Sequence, residues 1–200
     1  MLMLLLEDVK KQHRPALAQR RIRDVSVSDT IRSNPSRGRP AVAFATFAEL
    51  VEASTRFGSI GAAALAREAE ETGTPADALL ARMDEELTVM EASIAAGLSR
   101  SDRSRSGLTG GDAALVAASS SLVGDHFRLA LADALAVGET NARMGRIVAA
   151  PTAGASGVVP AVLLAAARNI GASRAQLVSA LFASAAVGAV IAARATLSGA

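Results

Sequence analysis

Residues 141–160, NARMGRIVAAPTAGASGVVP, constrain the fold most strongly, because glycine and proline interrupt an otherwise apolar sequence there. The ten residues from Pro151 contain no side chain larger than valine, so the backbone can come close to another backbone or to a ligand. An apolar run follows and ends at Gly171, which predicts a helix that starts at Ser156 or Gly157. We therefore predict a ligand site in this stretch, at a helix start where an anion could be held.

The composition favours helices throughout. Half of the residues are apolar, alanine is frequent, and there are five phenylalanines but no tryptophan or tyrosine. This pattern is typical of closely packed helices rather than of a β-sandwich, and 200 residues suffice for one domain with a real core. We predict an all-α fold, with a compact helical domain over residues 41–200 and a basic leader over residues 1–40.

The leader carries most of the positive charge. It has nine Lys/Arg and four Asp/Glu, a net charge of +5, which leaves −3 for residues 41–200. Such an arm could bind nucleic acid or an anionic surface, but it lacks aromatic residues and periodicity, so a disordered extension is the favoured interpretation. The opening MLMLLL is too short for the apolar region of a signal peptide. The linker SNPSRGRP at residues 33–40 places the domain boundary near Ala41.

Helix signals follow in order. We predict a helix over Ser59–Glu71 that Gly73 ends, and another that starts at Thr74–Asp77 with a capping box. Apolar residues then recur at three- and four-residue steps until Gly97, which predicts a long two-faced helix: Leu79, Leu80, Met83, Leu87, Met90 and Ile94. Its methionine stripe is interpreted as core packing, with docking of a partner helix as the alternative.

Residues 97–111, GLSRSDRSRSGLTGG, form a long polar segment. Loops of this length in a compact domain are often functional, although a solvated surface loop is the alternative. In the functional interpretation Thr109, Gly110 and Gly111 close over a ligand, while Asp112 caps the next helix and its free amides face an anion.

Asp125 is predicted to cap a helix that Gly138 ends. His126 lies in the first turn of that helix and is interpreted as solvated rather than catalytic. Asn141 follows the predicted helix, and its side-chain amide can donate to a carboxylate and accept from an ammonium group. A helix cap is the equal alternative for Asn141.

The last predicted helix starts at a capping box, Ser173 to Gln176. From Leu177 to Ala193 there is no charged residue. This run is slightly short and weakly hydrophobic for a membrane span, so a buried central helix is favoured over a membrane anchor.

The residue inventory excludes several chemistries. Lys10 and Lys11 are the only lysines and both lie in the leader, so the globular part cannot form the Schiff base of a pyridoxal-phosphate enzyme. No G-x-S-x-G elbow surrounds a serine. Because the chain has no cysteine, it holds no disulfide, no thiol catalyst and no Cys-ligated metal, and a cytoplasmic location is expected.

Four motifs together resemble one family. The chain reads SGLTGGDA at residues 106–113, NARMG at 141–145, APTAGASGVVP at 150–160 and ATLSGA at 195–200. From about Phe47 to Ala200 it is similar to the alpha chain of the bacterial iron–sulfur-dependent L-serine dehydratases (L-serine ammonia-lyases). In that family a glycine-rich segment with the first cluster cysteine follows the last motif at once, so we expect the domain to be incomplete at its C-terminus.

The resemblance implies conversion of L-serine to pyruvate and ammonia. A [4Fe–4S] cluster held by three cysteines, all absent from this chain, acts in that family as a Lewis acid on the serine hydroxyl while the α-proton is removed; pyridoxal phosphate takes no part. The catalytic base cannot be identified in this chain, and a separate beta chain or beta domain is the expected partner, with neither nucleic acid nor membrane. The implied substrate-binding residues are Thr109, Gly110, Gly111, Asn141, Thr152, Gly154, Ser156 and Gly157.

Two other hypotheses remain open at this stage. The first is a catalytically inactive fragment or helical interaction module that binds a small carboxylate or a partner chain. The second, which is weaker, is a small membrane protein anchored by Leu177–Ala193.

Overall fold

The computed structural model describes residues 44–120, 123–150 and 153–194, whose regular structure consists of seven α-helices without a strand. The all-α prediction is therefore confirmed for these ranges, whereas the leader lies outside them. The helices are α1 (Phe47–Phe57), α2 (Ile60–Thr72), α3 (Ala76–Leu98), α4 (Asp112–Ala118), α5 (Asp125–Ala142), α6 (Ala153–Ile170) and α7 (Arg174–Arg194).

The described residues divide into two compact units, one within residues 75–182 and the other formed by residues 44–74 and 183–194. In the smaller unit α1 packs against α2. The side chains of Thr46 and Ser59 cap these helices, and Gly58 and Gly73 end them with positive φ angles of 83° and 65°. The prediction for α2 was therefore correct to within one residue at each end. The buried core of this unit contains Phe44, Leu50, Ala63, Ala186 and Val190.

Helix α5 is the centre of the larger unit, because α3, α4 and α6 all pack against it. The packing is close at two glycines. A Cβ atom at Gly97 of α3 would overlap the carbonyl group of Ala136, and a Cβ atom at Gly157 of α6 would lie 2.9 Å from the carbonyl oxygen of Ala134. The predicted methionine stripe of α3 is core: Leu79, Met83, Leu87, Met90 and Ile94 are all buried. Leu80, which the spacing grouped with them, is exposed.

Several predicted helix ends were wrong. Gly111 and Gly124 occupy the N-cap positions of α4 and α5, so Asp112 and Asp125 are first-turn residues without a side-chain capping bond. Their carboxylates still suit the positive end of the helix dipole. Pro75 precedes α3 and likewise provides no side-chain cap.

Helix α5 does not end at Gly138 but continues to Ala142. Helix α6 begins at Ala153, three residues before the earlier of the two predicted starts. Both differences arise because helices that bury a face in a core tolerate glycine inside them.

The capping box at the start of α7 is confirmed. The backbone N–H of Ser173 donates to Gln176 Oε1 at 2.7 Å, and the N–H of Gln176 donates to Ser173 Oγ at 3.3 Å. Within the described ranges α7 is the one helix long and apolar enough to cross a membrane, with a mean hydropathy of 1.9. It buries one face only, which includes Val178 and Leu181 within the larger unit, and core helices of soluble proteins share these properties. The length and composition of α7 are therefore weak evidence for a membrane span.

Candidate functional site

Residues Asp102–Gly111, named here the 102–111 loop, fold back on themselves between α3 and α4. The N–H of Ser104 donates to the carbonyl oxygen of Thr109 at 2.8 Å. Gly110 has a φ angle of +143°, and a Cβ atom there would overlap the carbonyl oxygen of Asp102. Glycine is therefore needed at this position for both its conformation and its close contact.

A buried carboxylate accepts hydrogen bonds from the backbone N–H groups at the start of α4. Glu139 of α5 is 3% exposed. Its Oε2 accepts from the N–H of Gly111 and its Oε1 from the N–H of Ala113, each at 3.0 Å. The amides predicted to face an anion do face one, but the anion is a side chain of this chain.

Arg143, one turn after Glu139, ties the same region together. Its side chain is 6% exposed, and its Nη1 lies 3.3 Å from Glu139 Oε2. Its Nε donates to the backbone carbonyl oxygen of Asp102 at 3.0 Å, and its Nη2 donates to the same oxygen. Thus Glu139 holds the end of the 102–111 loop and Arg143 holds its beginning.

The charge of Glu139 is stabilised despite its burial. Burial disfavours the ionised form and is the largest single influence on the pKa of this carboxyl. The N–H groups of Ala113, Gly111 and Asp112 act in the opposite direction, and the positive charge of Arg143 adds to them. Together they hold the pKa of Glu139 below its ordinary value.

The C-terminus of α5 has a defined turn. The N–H of Met144 donates to the carbonyl oxygen of Asn141 at 2.9 Å, and the N–H of Gly145 donates to that of Thr140 at 2.8 Å. This is the Schellman pattern, in which the residue in the left-handed conformation is usually glycine. Here it is Met144, with a φ angle of +63° and a side chain that is almost fully exposed.

Thr109 and Asn141, two of the predicted site residues, differ in their surroundings. Thr109 Oγ1 is buried without a hydrogen-bond partner among the described residues, which is uncommon for a buried hydroxyl. Asn141 lies in the last turn of α5, exposed. It is thus inside the helix rather than at a cap, and its amide is accessible to a ligand.

The predicted residues of the second loop are arranged differently. Ser156 Oγ accepts from the N–H of Ala150 at 3.0 Å, so this hydroxyl fixes the segment that leads into α6. Gly154 is exposed in the first turn of α6, and a Cβ atom added there would have no neighbour within 4 Å. Gly157 faces Ala134 within the helix packing. Thr152 lies outside the described residues.

A separate cavity of about 550 Å³ lies among α3, α5, α6 and α7. Apolar side chains line most of it, and the buried Asp133 pairs there with Arg168 at 2.5 Å. None of the predicted site residues lines this cavity.

The residues of this chain do not fit an iron–sulfur cluster. The sequence contains no cysteine, whereas cluster irons are held chiefly by thiolates. Over the ranges that the structure covers, no three His, Cys, Asp or Glu side chains are grouped so that they could hold a metal ion. His126 is exposed in the first turn of α5.

Comparison with known proteins decides the family. The family model described as serine dehydratase alpha chain matches residues 55–200. The chain belongs to the serine dehydratase alpha-chain family. The resemblance read from the four motifs is thereby confirmed.

Two curated relatives share this serine dehydratase domain. One, "Probable L-serine dehydratase, alpha chain" of Bacillus subtilis (strain 168), is 41% identical over 140 residues, which cover 68% of this chain and 46% of the relative. The other, "L-serine dehydratase, alpha chain" of Peptoniphilus asaccharolyticus, is 35% identical over 140 residues, covering 68% and 48%. The chain spans about half the length of the curated relatives it matches. No solved structure matches it significantly.

Sequence reasoning missed Glu139 and Arg143 in this serine dehydratase domain. Their spacing of four residues on one helix is typical of an ion pair. The free amides predicted at the start of α4 also required an anion. Neither signal alone indicates that the required anion is Glu139, which is 28 residues from Gly111.

Proposed function

We propose that this serine dehydratase alpha-chain domain binds L-serine and contributes to its conversion to pyruvate and ammonia within a complete enzyme. The observation that carries the proposal is the meeting of two family motifs at one end of α5. Glu139 and Arg143 join the 102–111 loop to the turn that contains Asn141. These contacts bring the backbone of the 102–111 loop to the C-terminal end of α5.

Thr109 and Asn141 are the residues best suited to contact the substrate. The Thr109 hydroxyl has no partner among the described residues, so a substrate carboxylate would satisfy it. The Asn141 amide can donate to that carboxylate or accept from the ammonium group. Gly110 and Gly111 shape the loop that carries Thr109. The N–H of Gly111 donates to Glu139 and is therefore not available to the substrate.

At the start of α6, Ser156 fixes the chain through Ala150, and Gly154 leaves open space beside the first turn. We include Thr152 and Gly157 in the proposed site only by their place in the family motif. A structural role for Gly157 follows from its contact with Ala134.

The chemistry of water elimination needs groups beyond these. A cluster of the kind that the resemblance implies would supply Lewis acidity to the substrate hydroxyl. The chain has no cysteine to hold such a cluster, and its described residues include no group of three His, Cys, Asp or Glu side chains that could bind a metal ion. We therefore assign to this chain only binding and orientation of L-serine. A beta chain or beta domain is the proposed partner, consistent with the alpha-chain names of the relatives.

A chimera tests the proposal. Residues 55–200 of this chain replace the matching segment of the Bacillus subtilis relative, and pyruvate formation from L-serine is measured anaerobically. We expect activity in the chimera and its loss with Asn141→Ala. The control Glu85→Gln changes an exposed residue of α3 and should leave activity unchanged.

An inactive chimera that folds and still binds L-serine would favour the second candidate, a helical module that binds a small carboxylate. A folded chimera without binding or activity would contradict both functions.

A further inference from the structure

Glu139 is a buried carboxylate of the larger unit that takes no part in the proposed substrate contacts. Its two oxygens accept N–H groups at the start of α4. The same carboxylate is paired with Arg143, whose guanidinium reaches the first residue of the 102–111 loop. One side chain and its neighbour therefore control both ends of the loop that carries Thr109.

The geometry shows why a carboxylate is required. The backbone N–H groups of Gly111 and Ala113 are separate donors, and each binds a different oxygen of Glu139. A neutral amide has only one oxygen, so glutamine could serve one of them while its NH₂ group would oppose the other. The guanidinium of Arg143 would also lose its charged partner.

We propose that Glu139 is the positioning residue of the candidate site, which holds the 102–111 loop and thereby fixes the position of Thr109 for ligand binding. Arg143 assists by holding the carbonyl group of Asp102. Glu139 itself contacts no ligand in this arrangement, since its oxygens are turned to the backbone of its own chain. The inference rests on the proposed function in naming L-serine as the ligand and Thr109 as one of its contacts.

Nuclear magnetic resonance of the purified full chain tests the loop directly. Amide protons bound to a carboxylate shift when that carboxylate is protonated. We expect the amide signals of Gly111 and Ala113 to change together in one acidic step, and the step to vanish in Glu139→Gln. Amide signals in α3, such as that of Leu87, should not follow it.

Other acidic groups near the loop must be separated from Glu139. Asp102 pairs with Arg100 at 2.7 Å and lies 3.7 Å from Arg143, and Asp112 is the first residue of α4. A Glu139→Gln chain keeps both aspartates, so any step that remains in it belongs to them. Glu85→Gln, which removes an exposed charge of α3, is the matched control.

Binding is measured in the same samples by titration with L-serine. We expect Glu139→Gln to weaken L-serine binding roughly tenfold or more, the effect of losing hydrogen bonds to a charged group that hold a binding loop. Glu85→Gln should bind like the unchanged chain. Equal binding by Glu139→Gln and the unchanged chain would overturn the inference.

The two proposals fail differently. If the unchanged chain binds no L-serine, the substrate assignment fails, and the common titration of Gly111 and Ala113 still decides whether Glu139 positions the loop. If those amides do not titrate together in the unchanged chain, the positioning role is wrong, whether or not the chain binds L-serine. If Glu139→Gln misfolds, Asp102→Asn and Asp112→Asn keep Glu139, so a common step that survives both substitutions still belongs to Glu139.

Discussion

Gly157 of α6 lies against the backbone of Ala134 in α5, so closely that a Cβ atom at residue 157 would be 2.9 Å from the Ala134 carbonyl oxygen. Gly154, one turn earlier, has nothing within 4 Å of its corresponding Cβ position. The two glycines of one motif therefore differ in their structural role: Gly157 permits close helix packing, whereas Gly154 lies in open space.

This difference predicts opposite effects of the same substitution. Gly157→Ala should lower the free energy of unfolding by about 1–3 kcal/mol, because the added methyl group forces the two helices apart. Gly154→Ala should raise it by up to about 1 kcal/mol, since alanine is the better residue in an exposed helical position. Urea unfolding followed by circular dichroism measures both. Equal effects of the two substitutions would show that α5 and α6 are not packed through Gly157.

Replacement of Met144 by glycine should stabilise the folded chain. The φ angle of +63° at Met144 destabilises a residue with a side chain by about 1–2 kcal/mol, and glycine removes that cost. Glycine also loses more backbone entropy on folding, which costs about 0.5–1 kcal/mol. We expect Met144→Gly to raise the free energy of unfolding by about 0.5–1 kcal/mol. Met144→Ala retains a Cβ atom and should give no such gain. Thermal unfolding of the three chains provides the comparison.

Glu139 predicts a specific dependence of stability on pH. Its pKa is lowered in the folded chain from an ordinary value of 4.5, so its contribution is fully present above about pH 4.5. It is lost as the pH falls through the lower folded pKa. Glu139→Gln should cost about 2–4 kcal/mol at neutral pH, because three backbone donors and Arg143 lose a charged acceptor.

The difference in unfolding free energy between the unchanged chain and Glu139→Gln should therefore shrink as the solution is acidified. Chemical denaturation at a series of pH values measures it. A difference that stays constant down to acidic pH would mean that Glu139 is not held as an ionised carboxylate. Glu85→Gln, at an exposed site, should show little difference at any pH.

The hydrogen bonds of Arg143 should protect the 102–111 loop from proteolysis. Arg103 and Arg105 are exposed in the 102–111 loop and are sites for trypsin. Arg143→Gln removes the hydrogen bonds to the carbonyl group of Asp102, so cleavage after Arg103 and Arg105 should become faster under native conditions. Arg146→Gln, at an exposed position just beyond α5, is the control. Identical cleavage rates in the two variants would argue against a restraining role for Arg143.

Local sequence signals account for most of the fold. The spacing of Met83, Leu87 and Met90 predicted the buried face of α3, and Ser173 with Gln176 predicted the start of α7. These signals lie within a few residues of one another. Because helix periodicity and capping depend on near neighbours, they can be read without knowledge of the tertiary structure.

The start of α6 could not be read in this way. Gly154 and Gly157 suggested a loop, since glycine is unfavourable in an isolated helix. In the folded chain, packing of α6 against α5 stabilises the helix, and the contact with Ala134 makes Gly157 fit where a larger residue would not. The identity of that neighbour is tertiary information that the local sequence does not contain.

The contact that holds the end of the 102–111 loop could not be predicted from the sequence. Sequence reasoning singled out Thr109, Gly111 and Asn141, and it expected an anion at the start of α4. It could not identify the anion, because Glu139 is 28 residues from Gly111 and the pairing depends on how α4 packs against α5. The assignment of Thr109 and Asn141 as ligand contacts remains a prediction.

The internal carboxylate of Glu139 has a thermodynamic consequence for any ligand. A glycine-rich loop that is free in the unbound protein loses conformational entropy when a ligand orders it. Here Glu139 and Arg143 already fix both ends of the 102–111 loop, so that entropy is lost during folding. Binding to such a preorganised loop should carry a small entropic penalty, and the affinity for a ligand as small as an amino acid benefits accordingly.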